Sequence, residues 1–236
     1  MENTQIPKHV AIIPDGNRRW SKKQKFPLLN SYRIGVNKFI EFAKWSLEFG
    51  IKTITVWGLS NENLNNRSKN ELNILFNLYT KAAYDKKLIK DLIQNKIHIN
   101  IVGDKKLLPK KLQSALTNLE KITKKYNDLT INLLINYSGK NDLAYAAKTI
   151  IKALKKGEQD IQHKEIVFNN YLMSATINDI DLLIRTSGEM RLSGLLPWQT
   201  AYSELYFEKK YWPDFTKEDY KKALDEYKNR QRRFGK

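Results

Sequence analysis

An aspartate, a glycine, an asparagine and two arginines follow a short apolar run in Val10-Ala11-Ile12-Ile13-Pro14-Asp15-Gly16-Asn17-Arg18-Arg19-Trp20. Gly16 lets the backbone approach a ligand closely, and successive amides entering a helix there would form an anion-binding nest. Arg19 adds a planar, permanent cation matched to phosphate oxygens. Asp15 beside a phosphate calls for an intervening cation, and magnesium binds one or two carboxylates together with substrate phosphates. The same residues equally describe an Asp-Gly turn beside two solvated arginines. A second group, Arg185, Arg191 and Ser193, follows another apolar run and has the types to clamp a second phosphate. Glu189 and Glu204 are near it in sequence and could complete a metal shell or orient the arginines. Alone, this group also reads as a surface Arg/Glu network. Two arginine-rich groups, one aspartate and no nucleophile together suggest transfer chemistry with diphosphate as the leaving group.

Other chemistries find no support in the chain. There is no Gly-x-x-x-x-Gly-Lys-Ser/Thr loop and no Gly-x-Gly-x-x-Gly after the first apolar run, against a P-loop NTPase and a dinucleotide fold. His9, His98 and His163 are scattered without metal-ligand spacing, so structural or surface roles are expected for each. No Ser-His-Asp arrangement is visible. The absence of cysteine excludes disulfides, thiolate nucleophiles and Cys-based metal sites, and fits a reducing compartment.

The elements that must position these residues alternate. Strands are expected at Val10–Ile13, Thr53–Trp57, Ile97–Val102, Thr130–Ile135, Leu182–Ile184 and Ser203–Phe207. Helices are expected over Arg33–Phe49 with Gly50 as its stop, Pro109–Lys125, Asp142–Lys155 and Thr216–Arg232. Ser68 and Glu71 match a capping box, starting a helix that runs, bent, to Gln94. This order calls for an α/β fold: a single domain with a central, mostly parallel β-sheet flanked by helices. Ligands of open α/β sheets sit beyond the carboxyl ends of the strands. Those ends carry Asp15, Ser60-Asn61-Glu62-Asn63, Gly103-Asp104, Asn136-Tyr137-Ser138-Gly139 and Arg185-Thr186-Ser187-Gly188, which argues for one site on one rim.

The chain has 236 residues, 41% hydrophobic, enough for one sizeable core and without a linker to divide it. Lys and Arg number 42 against 25 Asp and Glu, a net charge of +17. Such a field attracts polyanions without choosing among nucleic acid, anionic lipid and phosphorylated substrates. No recognisable nucleic-acid-binding motif is present, so nucleic acid is not expected as a partner. The N-terminus lacks an apolar signal region, and no apolar run reaches the ~20 residues of a spanning helix. A cytoplasmic protein is expected, with membrane contact only peripheral.

The segment Ile12 to Trp20 resembles the N-terminal signature of the cis-prenyltransferases, the family of undecaprenyl diphosphate synthase. So do Ser60-Asn61-Glu62-Asn63, Val102-Gly103-Asp104, Asn136-Tyr137-Ser138-Gly139, Asp181 to Ser193, Pro197 to Phe207, Trp212-Pro213-Asp214-Phe215 and Arg232-Arg233-Phe234-Gly235. The resemblance spans nearly the whole chain, in order. It implies Mg²⁺-dependent condensation of isopentenyl diphosphate with an allylic prenyl diphosphate, farnesyl or geranylgeranyl, releasing diphosphate and setting a cis double bond. It implies that Asp15 and Glu204 engage magnesium, and that Gly16, Asn17, Arg18, Arg19 and Trp20 hold the allylic diphosphate. Arg185, Arg191, Leu192 and Ser193 would hold isopentenyl diphosphate, and Asn63 would assist proton removal. Tyr32, Ser60, Asn61, Glu62, Leu64 and Arg67 complete the implied substrate contacts. A hydrophobic tunnel lined by part of Leu72, Leu75, Phe76 and Tyr79 is implied, and so is a dimer, of like or unlike chains, with Arg233-Phe234-Gly235 crossing its interface.

The chain departs from the family pattern at several points. Leu28 and Tyr32 stand where Arg and His are frequent, Leu64 replaces an aromatic, and Arg67 comes one residue late. Met190 replaces a His and Lys140 an Arg. These changes leave the principal set intact and bear on substrate preference and product length. They also motivate an alternative, a weakly catalytic partner subunit of another prenyltransferase; a related single coupling of isoprenoid diphosphates is a second. Gly58 and Leu59 are expected to leave the tunnel mouth uncrowded, favouring a longer product.

Overall fold

The computed structural model describes residues 6–156 and 165–230. Six strands form one sheet: β1 (His9–Ile13), β2 (Thr53–Ser60), β3 (Ile97–Val102), β4 (Leu129–Tyr137), β5 (Leu182–Arg185) and β6 (Glu204–Phe207). Their order is β3-β4-β2-β1-β5-β6, and every pairing is parallel. Parallel pairing forces a crossover between consecutive strands; helices supply it except between β5 and β6, where residues 186–203 form turns and loop. These are α1 (Asn17–Lys23), α2 (Leu28–Glu48), α3 (Asn61–Asn66), α4 (Lys69–Tyr84), α5 (Lys86–Gln94), α6 (Lys110–Thr123), α7 (Gly139–Lys155), α8 (Glu165–Asn170) and α9 (Lys217–Lys228). The larger core lies on one face. Ile54, Val56, Ile99 and Ile101 meet Phe42 of α2, Leu75 and Tyr79 of α4, Leu116 of α6 and Tyr220 of α9. On the other face Ala11, Ile13, Trp57 and Leu183 pack with Ile177, Ile180, Leu195 and Leu196.

Local chemistry accounts for the element ends, including those that differ from expectation. α2 starts five residues before Arg33, because Pro27, at φ −56°, already sets the chain for a first helical turn. It stops as expected at Gly50, whose φ of +76° lets Gly50 and Ile51 donate back to Leu47 and Ser46. α1 closes with the same pair of bonds, Lys25 to Lys22 and Phe26 to Ser21, but with Lys25 at φ +52° in the left-handed position. The helix after Ser68 divides at Asp85, whose carboxylate accepts from the Lys87 and Leu88 amides and starts α5. Ser68 caps Glu71 N, but the Glu71 carboxylate turns to Tyr32 and Arg67 instead of reaching back, so only half of the expected box forms. At α9 the box is complete, between Thr216 and Asp219. The expected extension of that helix to Arg232, the Arg232–Gly235 motif and His163 lie outside the described residues.

A buried polar chain crosses the sheet beneath the site. His9 Nδ1 donates to the carbonyls of Asn178 and Asp179, while Nε2 accepts from the Thr55 hydroxyl at 2.8 Å. Thr55 accepts from Asn132, whose own amide oxygen accepts from Asn100. Burial lowers the His9 pKa to about 4, outweighing the two carbonyls and the charge of Asp181 that favour the cation. His9 thus ties the segment ahead of β5 to the start of β1.

Candidate active site

Parallel strands bring all their carboxyl ends to one rim, and a cavity of about 990 Å³ opens there. Asp15 sits at its lip, just beyond β1. Its Oδ2 accepts from Arg185 at 2.8 Å, and its Oδ1 accepts from Gly16 N and lies 3.2 Å from Arg19. The Asp15 backbone carbonyl accepts from the Thr186 hydroxyl and from Trp212 N, which fixes the turn against both neighbouring segments. Gly16 is required at its place. Its φ is +104°, and a Cβ would stand 2.6 Å from the Tyr211 ring. Asn17 opens α1, and its buried Oδ1 has no hydrogen-bond partner among the described residues.

The two arginine groups read separately in the sequence form one ion network. Glu189 accepts from Arg19 at 2.5 Å and from Arg191, so it joins the first group to the second. Arg185, only 5% exposed, donates to Ser193 Oγ at 2.7 Å and to the Arg191 carbonyl at 2.5 Å. Its Nε is buried without a partner among the described residues. Ser187, Ser193 and Leu196 hold positive φ without being glycine, so the loop after β5 maintains a strained path around the arginines. Burial alone would raise the Asp15 pKa. The Arg185 hydrogen bond and the charges of Arg185 and Arg19 overcome it, and the carboxyl is held below its usual range. Hydrogen bonds from Arg19 and Arg191 likewise lower Glu189. Both acids are therefore ionised at neutral pH.

The third wall comes from α2, α3 and α4. Ser60 caps α3 by accepting from Asn63 N, and the Asn63 side chain faces the cavity without a hydrogen bond among the described residues. Glu62 accepts from Ser138. Tyr32 donates to Glu71 at 2.5 Å, and Arg67 lies 3.3 Å from the same carboxylate and over the Tyr32 ring. Lys140 and Glu189 line the cavity, while Glu71 stands behind its wall and holds the lining residues Tyr32 and Arg67. The sequence suggests Glu189 as a residue that could orient the arginines, and it does so; it reads Glu71 only as part of a cap and Lys140 only as a departure, because neither has a local spacing that betrays the cavity.

Several expected residues stand elsewhere. Glu204 is not brought to Asp15 within the chain. It pairs with Leu182 at the amino end of β6, on the opposite rim, and binds Arg230 at 2.9 Å. Trp20, Asn61, Leu64 and Leu192 also lie outside the cavity wall. The Trp20 indole donates to Asp214, Asn61 donates to Asn136, Leu64 packs on the larger core and Leu192 on the smaller. Of the departures, Leu28 packs on the larger core and Met190 is 76% exposed. Gly58 is closely packed rather than open: a Cβ there would lie 3.1 Å from Leu133 and 3.3 Å from the Tyr79 hydroxyl.

Below the polar rim a second cavity of about 120 Å³ is walled almost wholly by apolar groups of α2, α4, α5, α6 and the sheet. Val36, Phe39 and Tyr79 line both spaces. Along α2 the apolar wall runs from Val36 to Lys44, roughly 12 Å at the helical rise.

Asp15 is the carboxylate that magnesium would use. It is a hard oxygen donor, 28% exposed, beside arginines that select phosphate. Among the described residues no three acidic or histidine side chains gather into a cage. Within one chain the residues therefore fit an ion shared between one carboxylate and substrate phosphates, with Glu204 on the opposite rim.

Comparison with known proteins shows the family and the fold. Residues 13–235 match the family model described as "Putative undecaprenyl diphosphate synthase". An isoprenyl transferase of Thermotoga maritima is 42% identical over 98% of this chain and 97% of its own. A tritrans,polycis-undecaprenyl-diphosphate synthase (geranylgeranyl-diphosphate specific) of Sulfurisphaera tokodaii is 40% identical over 100% of this chain and 90% of its own. Among solved structures, lavandulyl diphosphate synthase from Lavandula x intermedia in complex with dimethylallyl diphosphate superposes with a TM-score of 0.93. It is 34% identical, over 98% of this chain and 99% of that one.

Proposed function

The chain belongs to the undecaprenyl diphosphate synthase family of prenyltransferases, and from that premise we propose that it elongates an allylic prenyl diphosphate with isopentenyl diphosphate in cis. The observation that supports this reading is that the arginine-walled cavity and the apolar one beneath it share Val36, Phe39 and Tyr79 in their walls. Gly16, Asn17, Arg18 and Arg19 hold the allylic diphosphate, and Arg185, Arg191 and Ser193 hold isopentenyl diphosphate. Each diphosphate displaces Glu189 from the arginine it takes. The allylic C–O bond breaks and its electron pair leaves with the diphosphate, whose charge the arginines stabilise. The isopentenyl double bond attacks the allylic carbon, and loss of one proton sets the new double bond, with Asn63 placed to assist. The products are a chain longer by one isoprene unit, diphosphate and a proton. Asp15 would hold magnesium, which when bound supplies further charge neutralisation on the departing diphosphate. The growing hydrocarbon passes between α2 and α4.

The test is diphosphate release. Purified protein with geranylgeranyl diphosphate and isopentenyl diphosphate should release diphosphate only when both substrates and Mg²⁺ are present, and EDTA should stop it. Release without isopentenyl diphosphate, or unaffected by EDTA, overturns the reading. No release alone, but release with a second subunit, would favour the partner-subunit reading that Leu28, Tyr32 and Met190 motivate.

A further inference from the structure

Residues 16–40 contain seven basic side chains and no acidic one: Arg18, Arg19, Lys22, Lys23, Lys25, Arg33 and Lys38. In a chain with 25 acidic residues this is a marked local bias. It is centred on the turn between α1 and α2, where every residue from Lys22 to Pro27 is exposed. Two large apolar side chains stand out of that turn, Phe26 at 42% exposure and Leu29 at 40%. Phe26 is propped edge-on against Trp20 with ring centroids 5.8 Å apart. The Ser21 hydroxyl donates to its carbonyl. The turn is also held by Lys25 in a left-handed conformation that glycine would adopt without strain. Among the described residues Lys22, Lys25 and Arg33 make no ion pair. By contrast, the lysines of α9 are interleaved with Glu218, Asp219, Asp225 and Glu226.

We propose that the α1–α2 turn is a membrane-docking surface, in which Lys22, Lys23 and Lys25 meet anionic lipid headgroups and Phe26 and Leu29 enter the headgroup–acyl boundary. The same two helices wall the cavity, through Arg18 and Arg19 on one and Tyr32 and Val36 on the other. The surface thus sets the mouth of the site against the phase into which a long prenyl chain partitions. That last step rests on the proposed function; the binding itself does not. Basic charge near an anionic surface contributes about 1 kcal/mol per lysine, and exposed apolar side chains add burial. Lys22 and Lys23 also suit the carboxyl end of a helix, but that role does not account for Lys25, Phe26 or Leu29.

The experiment is vesicle co-sedimentation of the full chain without substrates. Phosphatidylcholine vesicles are compared with vesicles also containing phosphatidylglycerol. Binding should be confined to the anionic vesicles and weaken at high salt. K22Q/K23Q/K25Q should lower the partition coefficient by about 100-fold, three factors of roughly five, and F26S/L29S should lower it at low and high salt alike. K221Q/K222Q, on α9, should leave it within about twofold. Lys25→Gly separates docking from folding: it should raise Tm while weakening partition. No binding of wild type to anionic vesicles, or an equal loss in K221Q/K222Q, overturns the proposal. Diphosphate release in detergent reports on the function independently.

Discussion

Asp15 gives both carboxylate oxygens to arginines, and Arg185 in turn holds Ser193 and the Arg191 carbonyl. Removing that one charge leaves Arg185 buried against a neutral amide and removes the carboxylate proposed to hold magnesium. Asp15→Asn should therefore lower turnover by about 100-fold or more, with an unchanged far-UV circular dichroism spectrum. Turnover within a few-fold of wild type would refute its role. The residue types of this site are legible in the sequence: Asp15, Arg19, Arg185, Arg191 and Ser193 have the chemistry for it and meet around the cavity. Their mutual arrangement is not, because Glu189 links the two groups across about 170 residues of sequence. Glu204 shows the converse. A carboxylate near in sequence to an arginine group lies on the far rim, because β6 starts there and runs away from it.

At the scale of elements, periodicity located every strand of the sheet and the order of the main helices. It missed α3, which has no buried residue and so no apolar period to read. It missed the early start of α2, set by proline. Gly58 lies in β2 on the wall of the polar cavity, packed against Leu133 and the Tyr79 hydroxyl, which donates to the Gly58 carbonyl; both of those residues line the apolar cavity. Gly58→Ala should crowd Leu133 and Tyr79 between the two cavities and shift products to shorter chains, at a stability cost of about 1–3 kcal/mol; mass analysis of products reads the first and urea unfolding the second. The polar chain beneath makes a pH prediction. His9 has its folded pKa lowered from 6.5 to about 4. The unfolded chain therefore binds the extra proton first, and this contribution is fully present above 6.5 and lost as the pH falls toward 4. Unfolding free energy should drop by about 2 kcal/mol from this group between roughly pH 7.5 and pH 5. Urea midpoints at the two pH values test it, and His9→Gln should flatten the dependence.

For the whole molecule, a single parallel sheet places every strand end on one side, and the larger core beside it is left incompletely filled between α2 and α4. The alternation of strands and helices foretold the first point; the cavity follows from three-dimensional packing that no one-dimensional pattern carries. On the proposed function, a polar rim that takes two diphosphates above the apolar cavity would carry out repeated addition with the hydrocarbon retained between cycles. The mass spectrum of products made from geranylgeranyl diphosphate with excess isopentenyl diphosphate tests this most directly. The account predicts a ladder of prenyl diphosphates spaced by one isoprene unit, extending several units past the primer and truncated in Gly58→Ala. A single product that never grows beyond one coupling, or the same ladder from Asp15→Asn, would contradict it.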